Sequence, residues 1–201
     1  MTAPARSGRD AGFTLIELLV YIVLLAVVLG TVTTILVGAI RNQARTQTLG
    51  AAVSTGQVVA RSVSRGIADA SGFAVSSATA AGQLLQARVA NTSAAGSTTW
   101  TCRAWYYSAA SGAVYAYSSS SAAGLVPTVS VDGSVATAGW SLLGTGFGLS
   151  GASPAFAASS GQLTLTLTVS TGGTTANRVL VTTTVAPMTQ TDTTTGPTTC
   201  S

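Results

Sequence analysis

The chain contains the stretch Gly12-Phe13-Thr14-Leu15-Ile16-Glu17, which opens an apolar run that continues to Ile40. Glu17 is the one charged residue in this run. The 28 residues from Phe13 to Ile40 exceed the roughly 20 that a helix needs to span a bilayer. A carboxylate at bilayer depth costs roughly 3 kcal/mol, and ionisable residues in such segments are commonly functional. The run therefore predicts a membrane-spanning helix, with Glu17 as a candidate functional residue.

This arrangement resembles the type IV pilin family, which includes the pseudopilins of type II secretion and competence systems. The features in common are a short basic leader ending in Gly12, the sequence Phe-Thr-Leu-Ile-Glu-Leu and a hydrophobic helix, over about the first 40 residues. The resemblance implies that a prepilin peptidase cuts after Gly12 and that Phe13 becomes the new, methylated N-terminus. It also implies that Glu17 pairs with the terminal ammonium of a neighbouring subunit and so sets the axial register during assembly.

A second interpretation of Glu17 stays open on the sequence. Glu17 lies about one helical turn inside the new terminus, so it is able to remain solvated near the cytoplasmic headgroups. The two interpretations are compatible, with Glu17 solvated while the subunit is stored in the membrane and paired once it is assembled.

The leader, residues 1–12, differs from an ordinary secretory signal. Such a signal has its cleavage site after the apolar region, whereas Gly12 precedes it. Cleavage at Gly12 leaves the hydrophobic helix on the mature protein. The alternative is an uncleaved signal anchor that contains Glu17 by chance.

Composition excludes most catalytic chemistry. The chain has no His and no Lys, and its acidic residues are scattered: Asp10, Glu17, Asp69, Asp132 and Asp192. Histidine-dependent zinc sites and Ser-His-Asp triads lack their residues, and lysine Schiff-base chemistry lacks its amine. We therefore expect no enzyme, no cofactor and no metal site. The formal net charge of +4 comes without a dense cationic cluster, so nucleic acid is not an expected partner.

Cys102 and Cys200 are the two cysteines of the chain. In an exported protein without a C-x-x-C spacing, two cysteines favour a structural disulfide. A Cys102–Cys200 bridge would also fix the Thr-rich tail, Thr189 to Ser201, to the body. The alternative is one buried thiol and one thiol in a frayed terminus.

Beyond the apolar run, the pattern predicts that one long helix continues from about Thr14 to about Ala70. No Pro interrupts residues 5–126, and Gly72 is a plausible stop. Apolar and small residues recur at steps of four and three on one face of the second half. This stripe consists of Leu49, Val53, Gly56, Ala60, Val63 and Ile67. The arginine pairs Arg41/Arg45 and Arg61/Arg65 are placed off the stripe.

The rest of the chain is typical of β structure with Gly/Ser-rich loops. The predicted strands are Gln83–Ala90, Thr98–Tyr107, Ala113–Tyr117, and a pair of Thr/Val/Leu strands around 163–169 and 179–185, with apolar residues facing the helix and threonines facing solvent. Gly144 to Gly161 is predicted to be a loop. The fold class is therefore α+β and pilin-like, a long N-terminal helix packed on an antiparallel β-sheet. The predicted organisation is a leader (1–12), a transmembrane and filament-core half of the helix (13–40), an amphipathic half (41–70) and a globular β-rich domain (71–201).

The leading hypothesis is a structural minor pilin that is stored in the inner (cytoplasmic) membrane with its globular domain outside, and that joins or initiates a cell-surface filament. Its expected partners are prepilin peptidase, other pilin subunits, the membrane platform for pilus assembly and membrane lipid. One alternative is a pseudopilin of a type II secretion or DNA-uptake system. Another is a filament-tip adhesin or binding module with aromatic residues around Arg103, although at least two of these are expected in the core. Those aromatic residues are Trp100, Trp105, Tyr106 and Tyr107.

Overall fold

The computed structural model of the protein describes residues 14–92, 98–119, 139–170, 178–187 and Cys200. Its one helix in these ranges, α1, runs from Leu15 to Ala68. The chain divides into two compact units, Met1–Thr46 and Gln47–Ser201. The first unit contains the apolar half of α1. The second contains the remainder of α1 and antiparallel β structure, so the predicted α+β, pilin-like fold class is confirmed.

The described strands form two antiparallel sheets. Their bounds are β1 Ala70–Val75, β2 Gly82–Thr92, β3 Thr98–Ser108, β4 Ala113–Ser118, β5 Trp140–Thr145, β6 Phe147–Gly148, β7 Phe156–Ser159, β8 Gln162–Ser170 and β9 Arg178–Val185. The first sheet has five strands in the order β1-β2-β3-β4-β5, and the second has β8 paired with β6, β7 and β9. Strands β2, β3, β4, β8 and β9 confirm the predicted strands, including both predicted hairpins.

Two details of the prediction were wrong. The helix ends at Ala68, within two residues of the predicted end, but Gly72 lies inside β1 and does not terminate the helix. The segment from Gly144 to Gly161 is not a single loop, because it contains β6, β7 and the end of β5. These short strands are rich in Gly, Ala and Ser, and each of β6 and β7 is fixed in the core by one phenylalanine. Phe147 is 5% exposed and Phe156 is 1% exposed.

The predicted stripe on the second half of α1 was correct for three of its six residues. Gly56, Val63 and Ile67 are buried, whereas Leu49 and Ala60 are only partly buried and Val53 is 38% exposed. The buried face is rotated from the prediction and consists of Ala52, Gly56, Val59, Val63, Gly66 and Ile67. Two glycines of this face, Gly56 and Gly66, lie directly against side chains of the sheets.

Gly66 shows this close approach most clearly. The indole of Trp105, on β3, lies directly against Gly66, so that a side chain at position 66 would overlap with the ring. The same indole donates a hydrogen bond from Nε1 to Ser62 Oγ, at 3.0 Å. On the other sheet, Val181 of β9 packs against Gly56. Small residues on one helix face therefore fix where α1 lies against both sheets.

Candidate functional site

The first candidate site is the apolar half of α1, which is exposed on all sides. Every Val, Ile, Leu and Tyr from Leu15 to Ile40 is at least 42% exposed. Soluble monomers rarely expose a contiguous apolar surface of this size. Among the described residues, this is the one helix that is long and apolar enough to cross a membrane.

Glu17 lies in the first turn of this helix and is exposed. Its backbone N–H donates to Thr14, both to the carbonyl oxygen at 3.0 Å and to the side-chain Oγ1 at 3.4 Å. Thr14 and Glu17 have the spacing of a capping box, in which a threonine caps the helix and a glutamate occupies its third position. A carboxylate in the first turn also interacts favourably with the helix dipole. This second, structural role of Glu17 was not predicted above, although the T-x-x-E spacing in the sequence indicates it.

The middle of the apolar segment contains three threonines whose hydroxyl groups are satisfied within the helix. Thr31 donates to the carbonyl oxygen of Val28 at 2.8 Å, and Thr33 donates to that of Leu29 at 2.7 Å. Thr34 donates to the carbonyl of Thr31, also at 2.7 Å. These bonds reduce the cost of placing hydroxyl groups in an apolar surrounding. The threonines are therefore compatible with contact to lipid or to other apolar helices.

The apolar segment ends at two arginines. Arg41 and Arg45 are exposed and lie one helical turn apart, directly after Ile40. The described part of the segment thus has an acidic residue near its start and basic residues at its end. The predicted cleavage residues Gly12 and Phe13 lie outside the described residues.

The second predicted site is the cysteine pair, which forms a disulfide in the structure. The Cα atoms of Cys102 and Cys200 are 5.8 Å apart, and both residues are at most 1% exposed. Cys102 lies on β3, on the face of the five-stranded sheet that also carries Leu84 and Ala104. The backbone N–H of Cys102 donates to Ser119 Oγ at 3.0 Å. The disulfide therefore ties Cys200 to β3, a central strand of the five-stranded sheet.

The aromatic residues proposed as a binding module are mostly core residues. Trp105, Tyr106 and Tyr107 are at most 4% exposed, which confirms the expected core packing, while the side chain of Trp100 lies outside the described part of the chain. Tyr106 forms an edge-to-face pair with Trp140 on β5, with ring centroids 6.4 Å apart. A buried aromatic cluster stabilises the sheet and offers little surface to a ligand.

Comparison with known proteins identifies the N-terminal segment. Residues 7–33 match the model of the prokaryotic N-terminal methylation motif. No curated protein and no solved structure matches the chain. The matched residues include Gly12, Phe13 and Glu17 and the first part of the apolar helix. The chain therefore carries the N-terminal methylation signal of type IV pilins and pseudopilins.

Proposed function

We propose that the chain is a minor type IV pilin, a structural subunit that is stored in the membrane and then assembled into, or initiates, a thin filament. Prepilin peptidase removes residues 1–12 by cutting after Gly12, and the new N-terminus at Phe13 is methylated. The globular unit lies outside the cytoplasmic membrane, and the subunit becomes part of a surface filament on assembly. Other pilin subunits and the membrane assembly platform are its partners.

The observation that carries this proposal is the apolar half of α1, which is exposed on every side and bears one carboxylate in its first turn. Such a surface needs lipid or other apolar helices around it. The membrane offers lipid, and a filament of identical or related subunits offers other apolar helices. The methylation motif at residues 7–33 supports the same conclusion, and it indicates a structural protein instead of an enzyme.

In this proposal Glu17 acts in assembly. A carboxylate among packed apolar helices needs a cation, because burying an unpaired charge is costly. The terminal ammonium of a neighbouring subunit is a cation that exists only after leader removal. Cleavage and assembly are thus coupled through the pairing of Glu17 with the new N-terminus.

The test compares Glu17→Gln and Glu17→Val with the unaltered chain and with Asp69→Asn, which makes the same carboxylate-to-amide change outside the apolar segment. Processed protein in the membrane is quantified beside protein in the sheared filament fraction. Both Glu17 variants should insert and be cleaved, since the apolar run is unchanged or more apolar, and should be depleted from filaments. Asp69→Asn should be incorporated normally.

Normal incorporation of Glu17→Val would show that this subunit docks through its globular unit and would contradict the pairing role. The location of the assembled protein separates a pilin from a pseudopilin of a secretion or DNA-uptake system. A pilin is recovered with filaments at the cell surface, whereas a pseudopilin stays with the cell envelope.

A further inference from the structure

We infer that, in the membrane-stored subunit, the hydrocarbon layer covers residues 22–40, with Arg41 at the phosphates of the outer headgroups and Glu17 in the headgroup layer of the opposite leaflet. This inference rests on the proposed function, because it concerns the form that precedes assembly. It assigns anionic lipid phosphate as the partner of the basic end of the helix. It also decides between the two environments that the sequence left open for Glu17.

The first step of the argument is length. The apolar segment from Leu15 to Ile40 is about 39 Å long at 1.5 Å per residue, whereas the hydrocarbon layer is about 30 Å thick. A helix tilt near the average of about 20° removes only a small part of the difference. Several residues at one end of the segment must therefore lie outside the hydrocarbon.

The second step is which end lies outside. If the C-terminal end leaves the layer, the four large apolar side chains of residues 35–40 lose their apolar surroundings and Glu17 enters the hydrocarbon. If the N-terminal end leaves it, the five apolar side chains of Leu15, Ile16 and residues 18–20 lose theirs, but the Glu17 carboxylate stays hydrated. The loss of apolar contact is larger in this second case by about one side chain, which is worth about 0.5 kcal/mol. The charge still decides in favour of the second case, because an ionised side chain inside the layer costs roughly 3 kcal/mol.

The third step is the distance between the residues that prefer the two interfaces. Tyr21 and Arg41 are 20 residues apart, which is about 30 Å in a helix, the thickness of the layer itself. Tyrosine is enriched at membrane interfaces, and arginine near helix ends extends its guanidinium to the headgroups. Glu17 lies about one turn, or roughly 6 Å, beyond Tyr21. Between the two boundaries, the hydroxyls of Thr31, Thr33 and Thr34 are bonded within the helix.

The experiment measures water access along the helix in the full chain. Three single-cysteine variants, Ile16→Cys, Gly30→Cys and Asn42→Cys, are made with the native disulfide intact and placed in lipid nanodiscs containing an anionic phospholipid, where both faces are open. A charged, water-soluble maleimide is the probe. We expect Ile16→Cys and Asn42→Cys to react and Gly30→Cys to react at least about tenfold more slowly, because hydrocarbon suppresses the reactive thiolate.

A second pair of variants tests whether the basic end sets the position. Leu36→Arg moves the first arginine five positions toward the N-terminus, so the layer should then cover residues 17–35 and position 19 should pass from the headgroup layer into the hydrocarbon. Alkylation of a Leu19→Cys variant, which should be fast in the otherwise unaltered chain, should then slow severalfold. Asn42→Arg adds the same charge outside the layer and should leave the rate at Leu19→Cys unchanged.

Slow alkylation of Ile16→Cys in the otherwise unaltered chain, beside fast alkylation of Asn42→Cys, would place Glu17 in the hydrocarbon and overturn the inference. Slow alkylation of Asn42→Cys, or no effect of Leu36→Arg, would overturn the role of Arg41 as the boundary. Equal and fast alkylation at all three positions would mean that the segment does not span a bilayer. That result would contradict the proposed membrane-stored subunit itself. Failure of the inferred helix position and failure of the proposed function are therefore distinguishable.

Discussion

The side-chain amide of Gln83 and the backbone of Phe156 form a pair of hydrogen bonds that joins the two sheets. Gln83 Nε2 donates to the carbonyl oxygen of Phe156, and the N–H of Phe156 donates to Gln83 Oε1, both at 2.9 Å. Gln83 Nε2 also donates to the carbonyl oxygen of Ser76, at 3.2 Å. Gln83 is 5% exposed and Phe156 is 1% exposed. The glutamine thus completes the backbone bonding of a short strand, β7, at the place where it meets β2.

We expect Gln83→Leu to lower the free energy of unfolding by about 2 to 4 kcal/mol, because it leaves two buried backbone groups of Phe156 without partners. Thermal or urea unfolding of the full chain in detergent measures the change. Gln86→Leu is the matched control on the same strand. Its side chain is only partly buried and has one long bond, 3.5 Å to the carbonyl of Cys200, so its effect should be below about 1 kcal/mol. Equal effects of the two variants would refute the role of the Gln83–Phe156 pair.

Two glycines of α1 should respond in opposite directions to the same substitution. Gly66→Ala should destabilise the protein by about 1 to 3 kcal/mol, because the added Cβ overlaps with the Trp105 indole in a packed core. Gly50→Ala should stabilise it by about 0.5 to 1 kcal/mol, because nothing lies within 4 Å of the added carbon and alanine favours the helix. The midpoints of urea unfolding of the two variants give the comparison. Destabilisation of the same size at both positions would contradict the close approach of β3 to the helix.

The disulfide gives a prediction for the exported protein. Trypsin cleaves after Arg88, Arg103 and Arg178, so digestion without reductant should yield one linked pair of peptides, Val89–Arg103 joined to Val179–Ser201. The double variant Cys102→Ala/Cys200→Ala should lose up to about 4 to 5 kcal/mol of stability in the chain-entropy model, since the bridge spans a sequence separation of 98 residues. Two alkylatable cysteines in the folded, exported protein would contradict the bond.

The sequence predicted well those elements whose period is long and regular. Leu163, Leu165 and Leu167 alternate with threonines, and the structure places all three in the core at no more than 1% exposure. The helix was predicted to within two residues at its C-terminal end because continuous apolar and then amphipathic patterning extends over more than fifty residues. Such patterns specify both the element and its buried face.

Short elements and contacts between distant residues were not predictable in the same way. Strands β6 and β7 have two and four residues, too few for a period, and each depends on one buried phenylalanine. The buried face of the helix includes Gly66, whose contact with Trp105 joins residues that are distant in sequence. At the N-terminus of the helix the contact is local, because the N–H of Glu17 donates to Thr14, three positions away. The helix cap formed by Thr14 was therefore predictable from the sequence.

The most direct test of the central claim is the N-terminus of the protein taken from native membranes. If residues 1–12 are a leader, intact-mass measurement and tryptic mapping should find a chain that begins at Phe13 with one added methyl group, and a first peptide Phe13–Arg41. A recovered peptide Asp10–Arg41 in most of the membrane-extracted protein, or a chain that begins after residue 30, would contradict processing at Gly12 and with it the assignment as a type IV pilin precursor.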